Sequence, residues 1–549
     1  MSSFCGVRQT IEEAIQTGRI GQAVAARVVV HESGDHDQLQ QLAAVVLGTT
    51  AGWLGGEIVQ LTANAYQEAG QLTLLARLNG GQSALVSVGP PGNHHSLFVI
   101  EVWGNQGMLS WEADSFRSAT RFQAPLPKPS PRVVKQLEEA ITHRTPPAED
   151  TNSRRSLQPT QRSLTPQKPP YGILLVAGDH THQPGYATSL VEDGRCHLVG
   201  LSDEAQISPL RKKLNQQLAT RFDIPVFESL ERACAREDVD IVSICAEPIR
   251  RGRIAVLAAE AGKHLYLDKP LAGSLADADA IVAAVRQSNV VDHMFSLVPS
   301  EAAYRVRSIM ESGKLGELTA IHFDLCFAKG SPGTARLGQP RVESAHPDRF
   351  ELMESKRELT NIGVYPLAQL FSLLRRLPKT VSASTGNYFF SEHQNNNMED
   401  FGQILLEFEG GLVASITVGR TGWRSHPGGG LNRTFMVGTK DCVMIDPFHP
   451  RVEFWNEANA WVPPEHNPED PMRMWETPPE SPFIMLPRTE WMSPSAEEGE
   501  TDAHHFLDCI EQGRPSAVSV EVAAAATETL LAAYQSAATG SVVSLPLPR

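Results

Sequence analysis

The sequence lacks the features that mark membrane-spanning, secreted and nucleic-acid-binding proteins. No apolar run approaches the roughly 20 residues that a membrane-spanning helix needs, and the start, MSSFCGVRQTIEEAIQTG, has no basic segment followed by an apolar one. With a net charge of -15, the chain also lacks the excess of cations that binds phosphate backbones or anionic lipids. We therefore expect a cytoplasmic protein with neither a nucleic acid nor a membrane as partner.

Cysteine is scarce and irregularly spaced. The seven cysteines form no C-x-x-C pair, so we interpret them as reduced and mostly buried rather than as a disulfide framework. His180 and His182 form an H-x-H pair, but they have no third ligand nearby in the sequence. We predict no metal site.

A chain of 549 residues is too long for one hydrophobic core and should form two to four domains. Residues 126–170 are rich in Pro, Ser, Thr and Gln and are predicted to be a linker, with a short helix at RVVKQLEEAITH.

Residues 171–295 alternate between strand and helix patterns. The apolar runs YGILLVAG, HLVGLSD, VDIVSICA and KHLYLDKP are separated by amphipathic segments such as SPLRKKLNQQLATRF. This alternation predicts an α/β, Rossmann-like, doubly wound parallel sheet, which binds ligands beyond the carboxyl ends of its strands.

Residues 296–549 show a different pattern. Long runs such as ELTAIHFDLCFAKG and GQILLEFEGGLVASITVGR are joined by glycine-containing turns, and helices such as GVYPLAQLFSLLRRL lie between them. The pattern predicts an α+β domain with a large, mainly antiparallel sheet.

Residues 1–125 repeat part of that pattern. IQTGRIGQAVAARVVVHESG aligns with MESGKLGELTAIHFDLCFAKG, and LLARLNGGQSALVSVG aligns with LLEFEGGLVASITVG further along. Because the matches keep their order, we predict an additional N-terminal α+β sheet domain that is a shortened copy of the C-terminal one.

Two features of the parallel-sheet region suggest a dinucleotide site. After the first strand, Gly178 keeps the first position of a G-x-G-x-x-G loop, whereas His180 and Gln183 replace the other two glycines. Asp203 ends the second strand, where an acid can bind an adenosine ribose and repel a 2'-phosphate, which favours NAD over NADP. An acidic helix cap explains Asp203 equally well.

The segments DVDIVSICAEP and IAVLAAEAGKHLYLDKPLAGSLADADAIV, followed by SGKLGEL, NIGVYPLAQL and AYQSAATGSVVSLP, carry a family resemblance. From about residue 171 onwards, the chain resembles the Gfo/Idh/MocA family of NAD(P)-dependent oxidoreductases. The resemblance implies hydride transfer between nicotinamide and a secondary alcohol or ketone carbon of a sugar, cyclitol or related polyol.

The resemblance also assigns roles to residues. The family's E-K-P signature falls on Asp268, Lys269 and Pro270, so Lys269 is expected to polarise the reacting oxygen. The signature D-x-G-x-H, in which tyrosine can replace histidine, falls on Asn361, Gly363 and Tyr365. Tyr365 would exchange the proton if a cation such as Lys269 lowered its pKa, and Asn361 would position one of the two. The expected dinucleotide contacts are Gly178, Asp179, His180, Asp203, Glu247, Asp268 and Lys269.

Departures from the family leave alternatives open. The charged groups in AEPIRRG (Glu247, Arg250 and Arg251) and in ESKRELTNIG (Lys356, Arg357 and Glu358) either recognise an acidic or unusual substrate or block the pocket. The alternative function is that of a catalytically inactive binding, sensor or scaffold protein on the same fold. The chain is expected to form homo-oligomers, or else a pseudo-dimer in cis in which the N-terminal sheet covers the C-terminal one.

Overall fold

The structure is a computed structural model of the chain. It describes residues 3–66, 70–90, 97–113, 126–142, 157, 162, 164–177, 182–343, 357–422, 430–446, 452–454, 490–492 and 500–549.

Six strands form an N-terminal sheet that is covered by helices on one face. The elements are α1 (Ser3–Gln16), β1 (Ala23–His31), α2 (His36–Leu54), β2 (Ile58–Tyr66), β3 (Gln71–Leu78), β4 (Ser83–Gly89), β5 (Leu97–Gly104), β6 (Gly107–Ala113) and α3 (Pro131–Thr142). The strand order is β2-β3-β4-β1-β5-β6. In β1, Ala26, Val28 and Val30 pack in the same core as the helices, and Arg27 and Val29 point to the opposite face.

A six-stranded parallel sheet follows, as the alternating pattern predicts. Its elements are β7 (Tyr171–Val176), α4 (Gln183–Glu192), β8 (Cys196–Ser202), α5 (Pro209–Phe222), β9 (Val226–Phe227), α6 (Leu230–Cys234), β10 (Ile241–Ile244), α7 (Pro248–Glu260), β11 (His264–Leu267), α8 (Leu275–Ser288) and β12 (Asp292–Met294). The order β12-β11-β10-β7-β8-β9, with every pair parallel, confirms the Rossmann-like fold.

The C-terminal sheet has seven strands in the order β18-β17-β13-β16-β15-β14-β21. The elements are α9 (Glu301–Glu311), β13 (Leu318–Phe327), α10 (Glu358–Asn361), α11 (Val364–Leu374), β14 (Thr380–Gly386), α12 (Ser391–Asn395), β15 (Phe401–Glu407), β16 (Val413–Arg420), β17 (Asn432–Gly438), β18 (Cys442–Ile445), β19 (Val452–Phe454), β20 (Glu490–Met492), α13 (Asp502–Gln512), α14 (Val520–Thr539) and β21 (Val543–Ser544). Apart from the parallel β13–β16 pair, the strand pairs of this sheet are antiparallel, which confirms the predicted α+β domain.

The N-terminal and C-terminal sheets have the same topology. The order β2-β3-β4-β1-β5-β6 corresponds strand by strand to β14-β15-β16-β13-β17-β18, and the parallel pair falls at β1–β4 in one sheet and β13–β16 in the other. Before the matching strands β1 and β13, Gly18 and Gly21 have φ of 70° and 70°, and Gly313 and Gly316 have φ of 67° and 72°. These left-handed turns explain why glycine recurs in both segments. That the two sheets arose by duplication remains a prediction.

The two sheets pack face to face within the chain. Trp103 of the N-terminal sheet packs on Phe401 of the C-terminal sheet, with ring centroids 5.4 Å apart. Nearby, Val29 packs with Phe435, and the buried Arg27 forms an ion pair with Asp324. The N-terminal copy therefore covers the open face of the C-terminal sheet.

The predicted linker contributes to both neighbouring domains. The helix predicted in it is α3, whose Val133 and Leu137 belong to the N-terminal core. Further along, Arg162 forms an ion pair with the buried Asp292 at 2.6 Å. The N-terminal unit therefore extends beyond the predicted boundary at residue 125, and parts of the predicted linker, such as Val133, Leu137 and Arg162, pack on the neighbouring domains.

Within the described residues, no helix combines the length and apolar character required to span a bilayer. Five of the seven cysteines are buried, as the sequence predicts.

Candidate functional site

Lys269 lies immediately beyond the carboxyl end of β11. Its side chain is buried, and its Nζ donates a hydrogen bond to the main-chain oxygen of Asn361 at 2.8 Å and a second one to Asn361 Oδ1. The same ammonium lies 5.3 Å from the ring centroid of Tyr365. The structure thus brings together the three predicted catalytic residues, although Lys269 lies 92 positions before Asn361 in the chain.

Asp268, next to the lysine, is the acceptor of a buried network. It accepts hydrogen bonds from Tyr186 Oη at 2.7 Å and Cys245 Sγ at 3.4 Å, and its Oδ1 lies 3.2 Å from His182 Nδ1. Burial favours the neutral acid, but contacts with His182, Arg251 and Lys269 outweigh it and hold the pKa of this carboxyl well below its usual range. Asp268 is therefore a carboxylate at neutral pH.

Arg251 fixes the turn that carries Lys269. Its guanidinium donates to the main-chain oxygen of Asp268 at 3.0 Å and to that of Pro270, which are the residues on either side of the lysine. It also donates twice to the main-chain oxygen of Ala246, at the end of β10. Arg251 is almost fully buried, and its guanidinium is occupied by these main-chain oxygens and by the carboxylate of Asp268, so we interpret it as a residue that positions the lysine turn.

His182, Cys245 and Asp268 place potential metal ligands within 4.8 Å of one another. However, Arg251 contacts the same carboxylate at 3.3 Å, and Lys269 follows it directly in the chain. Because two cations already compensate a single carboxylate, we interpret this cluster as a hydrogen-bond network and not as a metal centre.

Asn361 and Tyr365 lie on either side of a tight turn between α10 and α11. A Cβ at Gly363 would lie 2.4 Å from the main-chain oxygen of Leu359, so this position requires glycine. Tyr365 is buried, and desolvation together with nearby carboxylates raises its pKa well above the usual value. The condition that a cation such as Lys269 lowers the pKa of Tyr365 is not met, because burial dominates and the ammonium lies over the ring.

Glu358 forms a charged network beneath Asn361. It accepts hydrogen bonds from Arg420 Nε at 2.7 Å and from Asn361 Nδ2 at 3.4 Å, and it pairs with His393 at 3.0 Å. Burial alone would raise the pKa of Glu358, but Arg420 and His393 outweigh it and lower the pKa to about 2.

Arg357 faces away from the pocket. It pairs with the buried Glu399 at 2.8 Å and stacks on the ring of Tyr534 at 3.7 Å. The interpretation that these charges recognise substrate or block the pocket is therefore wrong for Arg357. Glu358 contacts the candidate site through its hydrogen bond with Asn361. Lys356 lies outside the described residues.

Asp203 lies beyond β8, as predicted, but it is not a free acid. Arg250 Nη1 donates to its Oδ1 at 2.8 Å, and Asn215 Nδ2 donates to its Oδ2 at 2.7 Å. Arg250 also pairs with Glu247, another predicted cofactor contact, at 2.7 Å. These two predicted cofactor residues are thus joined by an arginine that the sequence alone did not pair with either of them.

The predicted phosphate loop can be described only at its end. Gly178, Asp179 and His180 lie outside the described residues. Gln183, at the position of the third glycine, is buried, and its amide exchanges hydrogen bonds with Ser243 of β10 at 2.9 and 3.0 Å. The glutamine therefore fills the contact between α4 and the sheet, where glycine would otherwise allow close packing.

Comparison with known families matches both of the later domains. Residues 183–295 match the group described as "Oxidoreductase family, NAD-binding Rossmann fold", and residues 304–443 match "GFO/IDH/MocA C-terminal domain". These two domains belong to the Gfo/Idh/MocA family. The family resemblance carried by Lys269 and its collinear segments is confirmed.

Two curated relatives of the Gfo/Idh/MocA region differ in the reactions that their names describe. A dTDP-3,4-didehydro-2,6-dideoxy-alpha-D-glucose 3-reductase of Saccharopolyspora spinosa is 27% identical over 208 residues, which are 37% of this chain and 56% of that protein. A 2,7-anhydro-N-acetylneuraminate hydratase of Escherichia coli is 22% identical over 253 residues, which are 45% of this chain and 63% of that protein. The chain thus matches somewhat more than half the length of each.

Solved structures support the Gfo/Idh/MocA fold. GenD2 from gentamicin A biosynthesis, in complex with NAD, superposes with a TM-score of 0.51 and 21% identity over 70% of this chain and 100% of GenD2. A putative myo-inositol dehydrogenase from Sinorhizobium meliloti superposes with a TM-score of 0.50 and 17% identity over 68% of this chain and 99% of that one. At these identities the likeness concerns the fold alone.

Proposed function

We propose that this protein is an NAD-linked oxidoreductase that moves hydride between nicotinamide and a secondary alcohol or ketone carbon of a sugar, cyclitol or related polyol. The observation that carries the proposal is the buried ammonium of Lys269, which is held at the carboxyl end of a parallel strand by Asn361. Ligands of such sheets bind at this edge. The relative named as a 3-reductase has a dTDP-linked deoxysugar in its name, which supports the substrate class.

In this proposal, Lys269 stabilises the negative charge that develops on the substrate oxygen. When bound, the nicotinamide supplies or accepts the hydride. The ammonium acts in a water-poor site, where its attraction to an alkoxide is stronger than in bulk water. Asn361 holds the lysine through two acceptor atoms, so little reorganisation is needed as the charge forms.

Tyr365 is proposed to exchange the proton. Since burial raises its pKa, the hydroxyl stays protonated at neutral pH and suits the direction in which a ketone oxygen receives a proton. In this direction the carbonyl carbon gains the hydride, the carbonyl oxygen gains the proton of Tyr365, and the tyrosinate that remains regains a proton from solvent before the next turnover. Substitution of Tyr365 by Phe should lower turnover in both directions while leaving cofactor binding unchanged.

Part of the adenosine side fits a dinucleotide. Asn215 Oδ1 and Arg211 Nη1 are buried beside Asp203 and Glu247 and lack hydrogen-bond partners among the described residues. A buried acceptor and a buried donor without partners can bind the hydroxyl and phosphate groups at the adenosine end of a dinucleotide. We propose that Asn215, Arg211 and Asp203 hold this end of NAD.

The test is titration of the purified protein with NADH, followed by nicotinamide fluorescence. Saturable binding should be followed by a screen of sugars and cyclitols for reduction of NAD. Absence of any nicotinamide dinucleotide binding would reject the proposed function.

A second candidate is a catalytically inactive binding or sensor protein on the same fold. Its specific support is that Arg250 forms ion pairs with both Asp203 and Glu247, which occupies two carboxylates that were predicted to bind the cofactor. This candidate predicts that sugars or dinucleotides bind without any turnover, so the same screen distinguishes it from the enzyme.

We also propose that the chain does not dimerise through the open face of its C-terminal sheet. The N-terminal sheet already covers that face, through contacts such as Trp103 on Phe401. The small-molecule substrate remains the partner that the site supports.

A further inference from the structure

Six charged side chains form a closed cluster at the predicted adenosine end of the site. Three carboxylates, Asp203, Glu204 and Glu247, face three guanidinium groups, Arg211, Arg250 and Arg253. They come from the end of β8, the first turn of α5 and the start of α7, so three segments of chain converge on one point. The formal charge of the cluster is zero.

Arg250 is the centre of this cluster. Its Nη1 lies 2.8 Å from Asp203 Oδ1 and 2.8 Å from Glu204 Oε2, and its Nε donates to Glu247 Oε2 at 2.8 Å. Only about an eighth of its side-chain surface is exposed, at 13%. Contacts with three carboxylates in a partly dry site hold the guanidinium firmly in place.

The acceptor capacity of Asp203 is used up within the chain. A carboxylate offers roughly four acceptor positions. Oδ1 receives the main-chain N–H of Glu204 at 2.8 Å as well as Arg250, and Oδ2 receives Asn215 at 2.7 Å and Arg250 Nη2 at 3.5 Å. A ribose hydroxyl that binds this acid must displace one of these donors, and Arg250 Nη2, at 3.5 Å from Oδ2, is the most distant of them.

The cluster also cancels the charge repulsion by which an acid at this position would exclude a 2'-phosphate. Arg250 neutralises Asp203, and the buried Nη1 of Arg211 has no hydrogen-bond partner among the described residues. A phosphate oxygen is the strongest acceptor that a nicotinamide dinucleotide could bring to such a donor.

We propose that Arg250 determines cofactor discrimination, because it neutralises Asp203 and weakens the preference for NAD that this acid alone would give. The inference rests on the proposed function and refines its cofactor class to both NAD(H) and NADP(H). Arg250 is accordingly a specificity residue located on α7, 47 positions after the acid that it controls.

The test compares the dissociation constants of NADH and NADPH for four full-length proteins, followed by nicotinamide fluorescence. They are the wild type, Arg250→Met, Asp203→Asn and the control Arg253→Met. Arg253 contacts Glu204 and carries the same charge, but it does not touch Asp203. An Arg250→Lys variant keeps the positive charge but lacks the planar guanidinium group. It provides a second test in case Arg250→Met does not fold.

The wild type should bind both dinucleotides with similar affinity. Since hydrogen bonds to charged groups are strong, Arg250→Met should shift the affinity ratio towards NADH by roughly tenfold or more. Arg250→Lys should give a smaller shift in the same direction. Asp203→Asn should shift the ratio towards NADPH, because it leaves Arg250 without this counterion, and Arg253→Met should leave the ratio unchanged.

An unchanged ratio in Arg250→Met, with both dinucleotides still bound, would overturn this inference alone. A wild type that strongly prefers NADH would overturn it as well. Failure of all four proteins to bind either dinucleotide would instead reject the proposed function on which the inference rests.

Discussion

The ammonium of Lys269 lies 2.8 Å from the main-chain oxygen of Asn361. This contact joins the end of a parallel strand in one domain to the end of α10 in the next, so the two halves of the candidate site are held by a direct hydrogen bond. Its geometry depends on Arg251 on one side and on Glu358 on the other.

Substitution of Arg251 by Lys should separate catalysis from cofactor binding. The lysine keeps the positive charge but cannot hold the main-chain oxygens of Asp268 and Pro270 together, so the lysine turn should become less well fixed. We expect kcat to fall by roughly tenfold to a hundredfold with little change in NADH affinity. Arg253→Lys is the matched control, and equal kcat values in both variants would contradict a positioning role.

Glu358→Gln should change the pH dependence of stability. The folded pKa of about 2 lies below the ordinary value of 4.5, so the stabilisation is complete above about pH 4.5 and is lost as the pH falls through about 2. The shift corresponds to an upper value of about 3 kcal/mol. Urea unfolding across this range should show the wild type and the variant converging towards acid pH. The exposed Glu409→Gln should show no such convergence, and a constant difference for Glu358→Gln would contradict the account.

Arg27 and Asp324 form a buried ion pair between the two sheets. Burial lowers the pKa of Arg27 to about 10, so the pair is still charged at neutral pH. Arg27→Leu should reduce the free energy of unfolding by about 3–5 kcal/mol, because it leaves Asp324 buried without its counterion. The double variant with Asp324→Leu should lose much less than the sum of the single losses. Strict additivity in chemical denaturation would show that the pair is not coupled.

Removal of residues 1–142 should cause the remaining chain to self-associate. The deletion exposes apolar side chains of the C-terminal sheet, among them Phe401 and Phe435, which the N-terminal sheet now covers. Light scattering should report a monomer for the full chain and larger species for the truncated one. A truncated protein that remains soluble and monomeric would contradict the covering role.

Much of the fold is predictable because local patterns of apolar and polar residues indicate its strands and helices. The run KHLYLDKP predicts a strand that ends near the lysine, and β11 ends at Leu267, two residues before it. The helix pattern GVYPLAQLFSLLRRL corresponds to α11, Val364–Leu374. The repeat is visible because the glycines of its turns need left-handed backbone in both copies.

The partners of the site residues could not be predicted in the same way. Arg250 and Asp203 are 47 residues apart, and only the fold, which brings the start of α7 next to the residues that follow β8, makes them neighbours. Arg251 looked like a pocket charge, yet the fold turns it inward onto the lysine turn. The raised pKa of Tyr365 likewise depends on burial, which motif spacing does not reveal.

The measurement that tests the central claim most directly is the turnover of Lys269→Met with NAD and the best polyol substrate, with NADH binding followed in parallel. Because the lysine acts on the oxygen that changes charge, we expect turnover to fall by roughly a hundredfold or more while NADH affinity is retained. An unchanged rate in the variant would contradict the assignment of Lys269 as the group that stabilises the reacting oxygen.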